Sequence, residues 1–293
     1  MGISGYPSVV TMPNAAKPYP SILGFLVERF PHVALSSWEK RLDEGKVLAE
    51  DGKPITADTA YAPFKRVFYF REVEQERVIP FAERILFQNE ALIVACIPHF
   101  LPVTPGGPYV DECLLNRLRK RTGIATLAPI HRIDRETAGI VLFSVNRKTS
   151  GLYYELFRNG KVEKTYQALA AYIAVPEQSS WLVENRIVKG EPWFRMKTVP
   201  GKINSCSKIS LVEVTGPVAR FLLQPVTGKT HQLRLHMSGL GFRILNDRYY
   251  PDLQPETADD FAKPLQLIAK MVKFHDPVTG IFMEFRSERR LLS

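Results

Sequence analysis

The chain has 293 residues, 45% hydrophobic and 24% charged, so it can bury a substantial core and does not read as globally disordered. Its formal net charge of +9 favours a polyanionic partner, nucleic acid first. Cys96, Cys113 and Cys206 form no Cys-x-x-Cys pair, which argues against a thiolate zinc site, and the absence of a long apolar run or a basic-then-apolar leader argues against membrane-spanning and secreted classes. Three scattered cysteines suit a reducing compartment, and Tyr6 stands where an N-myristoylation signal wants Ser or Thr, so the cytoplasm is the expected location.

Residues 1–20 are rich in Pro, Gly and Ser and read as a flexible arm. From Ser21, the spacing of Ile22, Leu23, Phe25, Leu26 and Phe30 predicts a helix. A second helix is expected over Ser36–Glu44, capped by Ser37, with Lys40 and Arg41 on its exposed face and Gly45 at its end. Val47-Leu48-Ala49 and Asp51-Gly52-Lys53-Pro54-Ile55 predict a tight hairpin, because Asp-Gly supplies the positive backbone angle of the turn. A strand over Arg66–Phe70 follows, and charged residues 72–80 read as a linker.

Beyond Ile85 short strands dominate: 85–87, 91–96, 139–145, 165–172, 207–214, 219–224 and 232–236. Helices are expected near Asp111–Arg121 and Lys148–Arg158. Strands with scattered helices predict an α+β domain around a mixed, mainly antiparallel sheet.

The segment His131-Arg132-Ile133-Asp134-Arg135-Glu136-Thr137-Ala138-Gly139 precedes the apolar run Ile140–Phe143. A carboxylate near guanidinium groups stays ionised, which suits a nucleophile or base. The plainer reading of Asp134 is a turn-capping Asp before a strand. A second basic cluster, Thr227-Gly228-Lys229-Thr230-His231-Gln232-Leu233-Arg234, lacks the glycine a phosphate-binding loop needs at position 223, where Leu stands, so a nucleotide triphosphatase is rejected. On the predicted strand, His231 and His236 fall on opposite faces, which disfavours a shared metal, and Arg234 is a candidate partner for a distant acid.

These motifs resemble those of the RluA-type RNA pseudouridine synthases. The family's His-Arg-Leu-Asp-Arg-x-Thr-Ser-Gly is matched at 131–139, its Lys-x-Tyr at Lys164-Thr165-Tyr166, and its Leu-x-Pro-x-Thr-Gly-Arg-x-His-Gln-Ile-Arg at 223–234. Its Ile-Leu-Gly-Asp-x-x-Tyr is matched at 244–250 and its closing Phe-x-His/Asp-Pro-x-Thr-Gly at 274–280. The resemblance implies a pseudouridine synthase fold over 81–293 that isomerises uridines of structured ribosomal or transfer RNA after flipping the base from its stack. It assigns Asp134 as nucleophile, Tyr166 as the ring stacked on the base, and Arg234 as the partner that keeps Asp134 ionised and oriented. It places Arg132 in the gap the flipped nucleotide leaves. No metal or cofactor is implied, and a monomer is expected.

The RNA surface is expected to include His131, Arg132, Arg135, Arg117, Arg119, Lys120, Arg121, Lys164 and Lys229. Residues 21–75 weakly resemble the small S-four-type RNA-binding module, giving an α/β N-terminal unit.

The chain departs from the family pattern at Ile97-Pro98-His99-Phe100, where Lys-Pro-x-Gly is usual; this puts the shape of that loop in question. Ala138 replaces a serine, and Lys229 replaces an arginine, keeping charge but losing the bidentate fork. The competing readings are an RNA-binding protein that folds RNA without catalysis, and a hydrolase that pairs Asp134 with His131.

Overall fold

The computed structural model describes residues 2–3, 5–16, 18–73, 75–172 and 177–292. The chain divides into two compact units, one of residues 1–77 with 106–111 and the other of 78–105 with 112–293.

In the first unit β1 (Gly2–Ile3) and β2 (Ser8–Thr11) precede α1 (Ile22–Arg29) and α2 (Leu35–Asp43), followed by β3 (Val47–Leu48), β4 (Arg66–Tyr69) and β5 (Glu72–Val73). Ser21 caps α1 by accepting the Gly24 N–H, as an N-cap serine does. The predicted hairpin forms, with Gly52 at φ +81° and Ala49 receiving the Gly52 N–H.

Four expectations change here. The flexible arm is instead a paired strand: β2 runs antiparallel to β4, and Met12 is only 1% exposed in a core with Phe25, Leu26, Trp38 and Val67. Valines at 9 and 10 with Met12 supply apolar residues that a Pro/Gly count overlooks. Likewise Glu72-Val73, expected in a linker, pairs with β1. Helix α2 is capped at Ala34 without a side-chain bond, so Ser37 is not its cap. Arg41, expected on the exposed face, is buried, with its guanidinium 5.0 Å from the Trp38 ring and 3.7 Å from Glu72.

The second unit contains β6 (Arg84–Gln88), β7 (Leu92–Ile97), α3 (Leu114–Thr122), β8 (Ala128–Pro129), β9 (Ala138–Ser144) and α4 (Arg147–Arg158). Then come β10 (Glu163–Ala171), β11 (Ser180–Lys189), β12 (Met196–Val199), β13 (Ser205–Thr215), β14 (Val218–Pro225), α5 (Gln232–Gly239), β15 (Arg243–Ile244), β16 (Leu267–His275) and β17 (Phe282–Arg286). They build one 12-stranded sheet with the order β12-β11-β13-β14-β10-β16-β9-β7-β6, to which β15, β17 and β8 add as branches. All its pairings are antiparallel except β16 with β9. The architecture is therefore α+β with a mixed, mainly antiparallel sheet.

Strands β7 and β9 are buried at every position, as strands covered on both faces must be. Strand β14 alternates, its buried Ala219, Phe221 and Leu223 packing with Ala168, Leu233, Met237 and Phe242.

Residues 232–236, predicted as strand, form the first turns of α5. The alternation there is only five residues long and fits either period; the buried pair Leu233 and Met237, four apart, is the helical stripe. Gln232 locks the turn before α5 onto β13 by donating to the Cys206 carbonyl (2.9 Å) and Ser207 Oγ (2.8 Å) while accepting from Thr227 and the Lys229 N–H.

Gly139 follows Ala138 in the parallel β9–β16 ladder, opposite Ala269 at φ +122°; a Cβ there would run into the Ala269 backbone. Gly139→Ala should therefore destabilise the unit by about 3 kcal/mol or more, measured by urea denaturation; near-native stability would show that β9 and β16 part without penalty.

Candidate active site

Asp134 sits in the turn that feeds β9, its carbonyl accepting the Thr137 N–H at 2.9 Å. In register, Gly139 of β9 pairs with Ala269 of β16, and Ala269 pairs with Tyr166 of β10. A β-bulge between Thr165 and Tyr166 re-aims the strand at that point. The sheet thus brings the Asp134 turn and Tyr166 to one neighbourhood although 32 positions part them in sequence.

Arg234, on the first turn of α5, completes the group. Its side chain is buried (2% exposed), and Nε and Nη2 bind the Asp247 carboxylate bidentately at 2.8 and 2.7 Å. Its Nη1 lies 3.5 Å from Asp134 Oδ2 and 3.6 Å from Glu136 Oε2. The guanidinium carbon lies 4.8 Å from the Tyr249 ring centre and 5.6 Å from that of Tyr250, which is cation–π distance. Desolvation works against the buried cation, but the hydrogen-bonded Asp247 and then Asp134 and Glu136 outweigh it and hold Arg234 above its ordinary value.

Burial, reinforced by the Asp134 charge, raises the Tyr166 phenol above its ordinary value, so Tyr166 is a neutral hydroxyl at working pH. Asp247 sends its other contacts to the backbone, with Oδ1 accepting the Tyr249 and Tyr250 N–H groups at 2.8 and 3.1 Å. Just before it, Asn246 takes the left-handed backbone (φ +63°) where the family motif has glycine, and Asn tolerates that conformation.

Of the expected RNA-contact residues, Arg132, Lys120, Arg121 and Lys229 are exposed. Several are engaged within the protein. His131 does not face outward as a contact residue: its Nε2 accepts the Leu142 N–H at 3.2 Å and its ring stacks on Phe157 at 4.5 Å. Arg135 forms a two-point bond with Asp259 at 2.8 and 2.9 Å. Arg117 binds the Phe81 and Ile79 carbonyls, Glu83 and Glu112, while Arg119 donates to the Leu127 carbonyl and Arg121 pairs with Glu83 at 2.9 Å. The run on α3 is thus largely a brace, because Glu83 and Glu112 neutralise the cations the linear sequence leaves unpaired. Lys164 is part-buried, and desolvation lowers its pKa.

Sequence reasoning left Asp247, Glu136 and Asp259 without roles; Asp247 could have been found as the acid of the 244–250 motif. The Phe100 loop is also settled. Phe100 holds a left-handed backbone (φ +69°), the conformation glycine adopts most easily, and its buried ring packs against Phe261 at 5.2 Å. Among the described residues no group of three or more His, Cys, Asp or Glu is placed to hold a metal ion.

A family model described as RNA pseudouridylate synthase matches residues 91–239, which contain Asp134, Tyr166 and Arg234. The chain belongs to this family. It is 30% identical over 213 residues to the dual-specificity RNA pseudouridine synthase RluA of Haemophilus influenzae, covering 70% of this chain and 92% of that one. RNA pseudouridine synthase 7 of Oryza sativa is 26% identical over 211 residues, covering 69% of this chain and 53% of that relative, so the chain spans about half of the rice protein. The structure of human RNA pseudouridylate synthase domain containing 4 aligns with a TM-score of 0.55 at 26% identity, covering 71% of this chain and 88% of that one. The protein is an RNA pseudouridine synthase, an isomerase that modifies RNA, and nothing favours the non-catalytic RNA-folding reading.

Two outcomes follow for the synthase. Removing the Asp247 carboxylate (Asp247→Ala) strands a buried guanidinium and should cost about 3–5 kcal/mol in chemical denaturation; a loss below about 1 kcal/mol would mean that Asp134 and Glu136 suffice. Burial, with the Lys164 charge second, pushes His131 down from 6.5 to about 3. The unfolded chain therefore binds a proton that the native state refuses, and stability should fall as pH drops from about 6.5 towards 3. His131→Phe should flatten that part of the stability–pH curve, and an unchanged slope would remove His131 from the acid response.

Proposed function

We propose that Asp134 is the nucleophile that attacks the target uridine, at the base or at the sugar carbon. The glycosidic N–C bond breaks, the uracil rotates, its carbon bonds to the sugar as the bond to Asp134 is released, and the proton lost from that carbon is balanced by one gained at the freed ring nitrogen. Tyr166 stacks on the base, and its neutral hydroxyl relays that proton. Arg234 keeps Asp134 ionised and oriented. Arg132 fills the gap in the RNA, its exposed guanidinium plane replacing the lost stacking.

The observation that carries this reading is the difference among the three carboxylates around Arg234. The Asp247 side chain is 1% exposed and fully committed to Arg234 and two backbone N–H groups. Glu136 is drawn onto Arg135 at 3.2 Å. The Asp134 side chain is 22% exposed, with Oδ2 3.5 Å from the guanidinium and Oδ1 3.8 Å from His231 Nε2, beyond hydrogen-bond length. A carboxylate oriented yet accessible is what nucleophilic attack requires.

The substrate class we favour is a uridine in structured ribosomal or transfer RNA, bound by a monomer in the cytoplasm with no metal or cofactor. Exposed Arg132, Lys120 and Lys229 supply phosphate contacts, supported by the net charge of +9. Two helices followed by a hairpin in the first unit support an S-four-type RNA-binding role. No helix among the described residues is long and apolar enough to cross a membrane.

Asp134→Asn should reduce pseudouridine formation at least about a thousandfold while leaving RNA affinity within a few-fold. The measurement is single-turnover tritium release from labelled RNA, with sites located by carbodiimide mapping of total RNA with and without the protein. Near-normal turnover by Asp134→Asn would end the nucleophile assignment. Affinity should also fall steeply with added salt, and a flat salt dependence would argue against phosphate-led binding.

A further inference from the structure

The Asp134 carboxylate has a second neighbour that the assigned roles leave unused. His231 Nε2 lies 3.8 Å from Asp134 Oδ1, across the carboxylate from the Arg234 contact at Oδ2. The imidazole is 9% exposed, and its other nitrogen, Nδ1, lies 2.9 Å from the Tyr250 hydroxyl. His231 holds φ +53°, a left-handed backbone uncommon for a residue with a side chain, so the ring is placed there at a conformational cost.

Proton counting at Tyr250 fixes which nitrogen of His231 carries hydrogen. The Tyr250 oxygen accepts the Met196 N–H at 2.7 Å, and its single proton has two acceptors in reach, the Met196 carbonyl at 3.2 Å and His231 Nδ1 at 2.9 Å. Donation to the carbonyl would leave the proton on Nδ1 and set the bare Nε2 lone pair against a carboxylate oxygen, which is repulsive. Donation to Nδ1 uses the shorter contact and turns an Nε2–H towards Asp134. Burial lowers the His231 pKa and the nearby Asp134 charge only partly opposes this, so the ring is neutral and the tautomer matters.

We infer that His231 is a positioning residue for the isomerisation, a neutral imidazole locked by Tyr250 in the Nε2–H tautomer that, with Arg234, clasps the two oxygens of Asp134. The inference rests on Asp134 being the nucleophile. At 3.8 Å the contact is not a closed hydrogen bond. Such contacts are often long in the free enzyme and tighten when substrate seats. With one donor on each oxygen, the carboxylate plane cannot rotate about its bond to Cβ, and the attacking lone pair keeps its direction. Tyr250 also ties this arrangement to β12, because both its backbone contacts are to Met196.

Two measurements test this on the full-length chain. Nitrogen-15 NMR of the imidazole in the unmodified protein should show a protonated Nε2 and a bare, hydrogen-bonded Nδ1 at neutral pH; the opposite tautomer, or a doubly protonated ring, overturns the inference whatever the variants do. In kinetics, His231→Gln keeps an N–H donor near Nε2, whereas His231→Phe keeps the ring volume and loses the donor. Both face the same backbone strain. His231→Phe should lower kcat about tenfold to a hundredfold with KM changed by less than about twofold, and His231→Gln should recover most of that loss. If His231→Phe is the more active of the two, the residue serves packing alone and the inference falls. Full activity of Asp134→Asn would instead sink the nucleophile reading and leave the tautomer spectrum standing, so the two failures are distinguishable.

Discussion

A guanidinium buried as deeply as that of Arg234 cannot stand alone, because its desolvation must be offset by charge and hydrogen bonds close at hand. Asp247 supplies both, and the local chain is shaped to let it. Asn246 turns left-handed, the next two backbone N–H groups fold back onto the carboxylate, and the Tyr249 and Tyr250 rings close over the cation. A buried ion pair yields little net stability against an apolar replacement of the same shape. Its value lies elsewhere: with two nitrogens committed to Asp247, the remaining edge of Arg234 can only face Asp134 and Glu136. The orientation of the Asp134 carboxylate is thus inherited from the buried Arg234–Asp247 pair.

Much of the sheet was legible because its strands carry strong periods. Apolar runs at 92–97 and 138–143 read as strands covered on both sides, and the alternation of 218–225 announces one buried face. The errors lie where the local signal is short or borrowed. Strand β2 has four residues and acquires its meaning only from β4, some fifty residues on. The start of α5 shows a two-residue alternation because Leu233 and Leu235 flank Arg234, yet Arg234 is buried by Asp247 and breaks the polar half of that pattern. Strand β16 carries Lys270 and Lys273 inside an apolar run, which blurs its period; Lys270 is accommodated by the Ser287 and Arg289 carbonyls.

The site was legible to a different degree. Asp134, Tyr166 and Arg234 lie in three separate segments, and no spacing argument joins them; the family motifs named them, the β9–β16–β10 register brings the first two together, and the Arg234–Asp134 contact joins the third. The basic residues around them were misjudged for a simpler reason. Charge is visible in a sequence, but its neutralisation is not: Arg135 and Asp259 are 124 positions apart, and Arg117 is held by acids and carbonyls from before and within its own helix region. A cluster of cations therefore overstates a nucleic-acid surface by the number of its members that have found anions at home.

The parallel pairing of β9 with β16 carries a consequence for how the enzyme comes into being. The turn bearing Asp134 is synthesised well before the strand beside it, which spans residues 267–275. Contacts so distant in sequence form late, after the entropy of closing the intervening loop has been met. Until they form, Gly139 has no backbone to press against, Tyr166 lacks one of its flanking strands, and the turn has no fixed direction. The direction of the Asp134 turn thus depends on a strand pairing made across 130 positions of sequence.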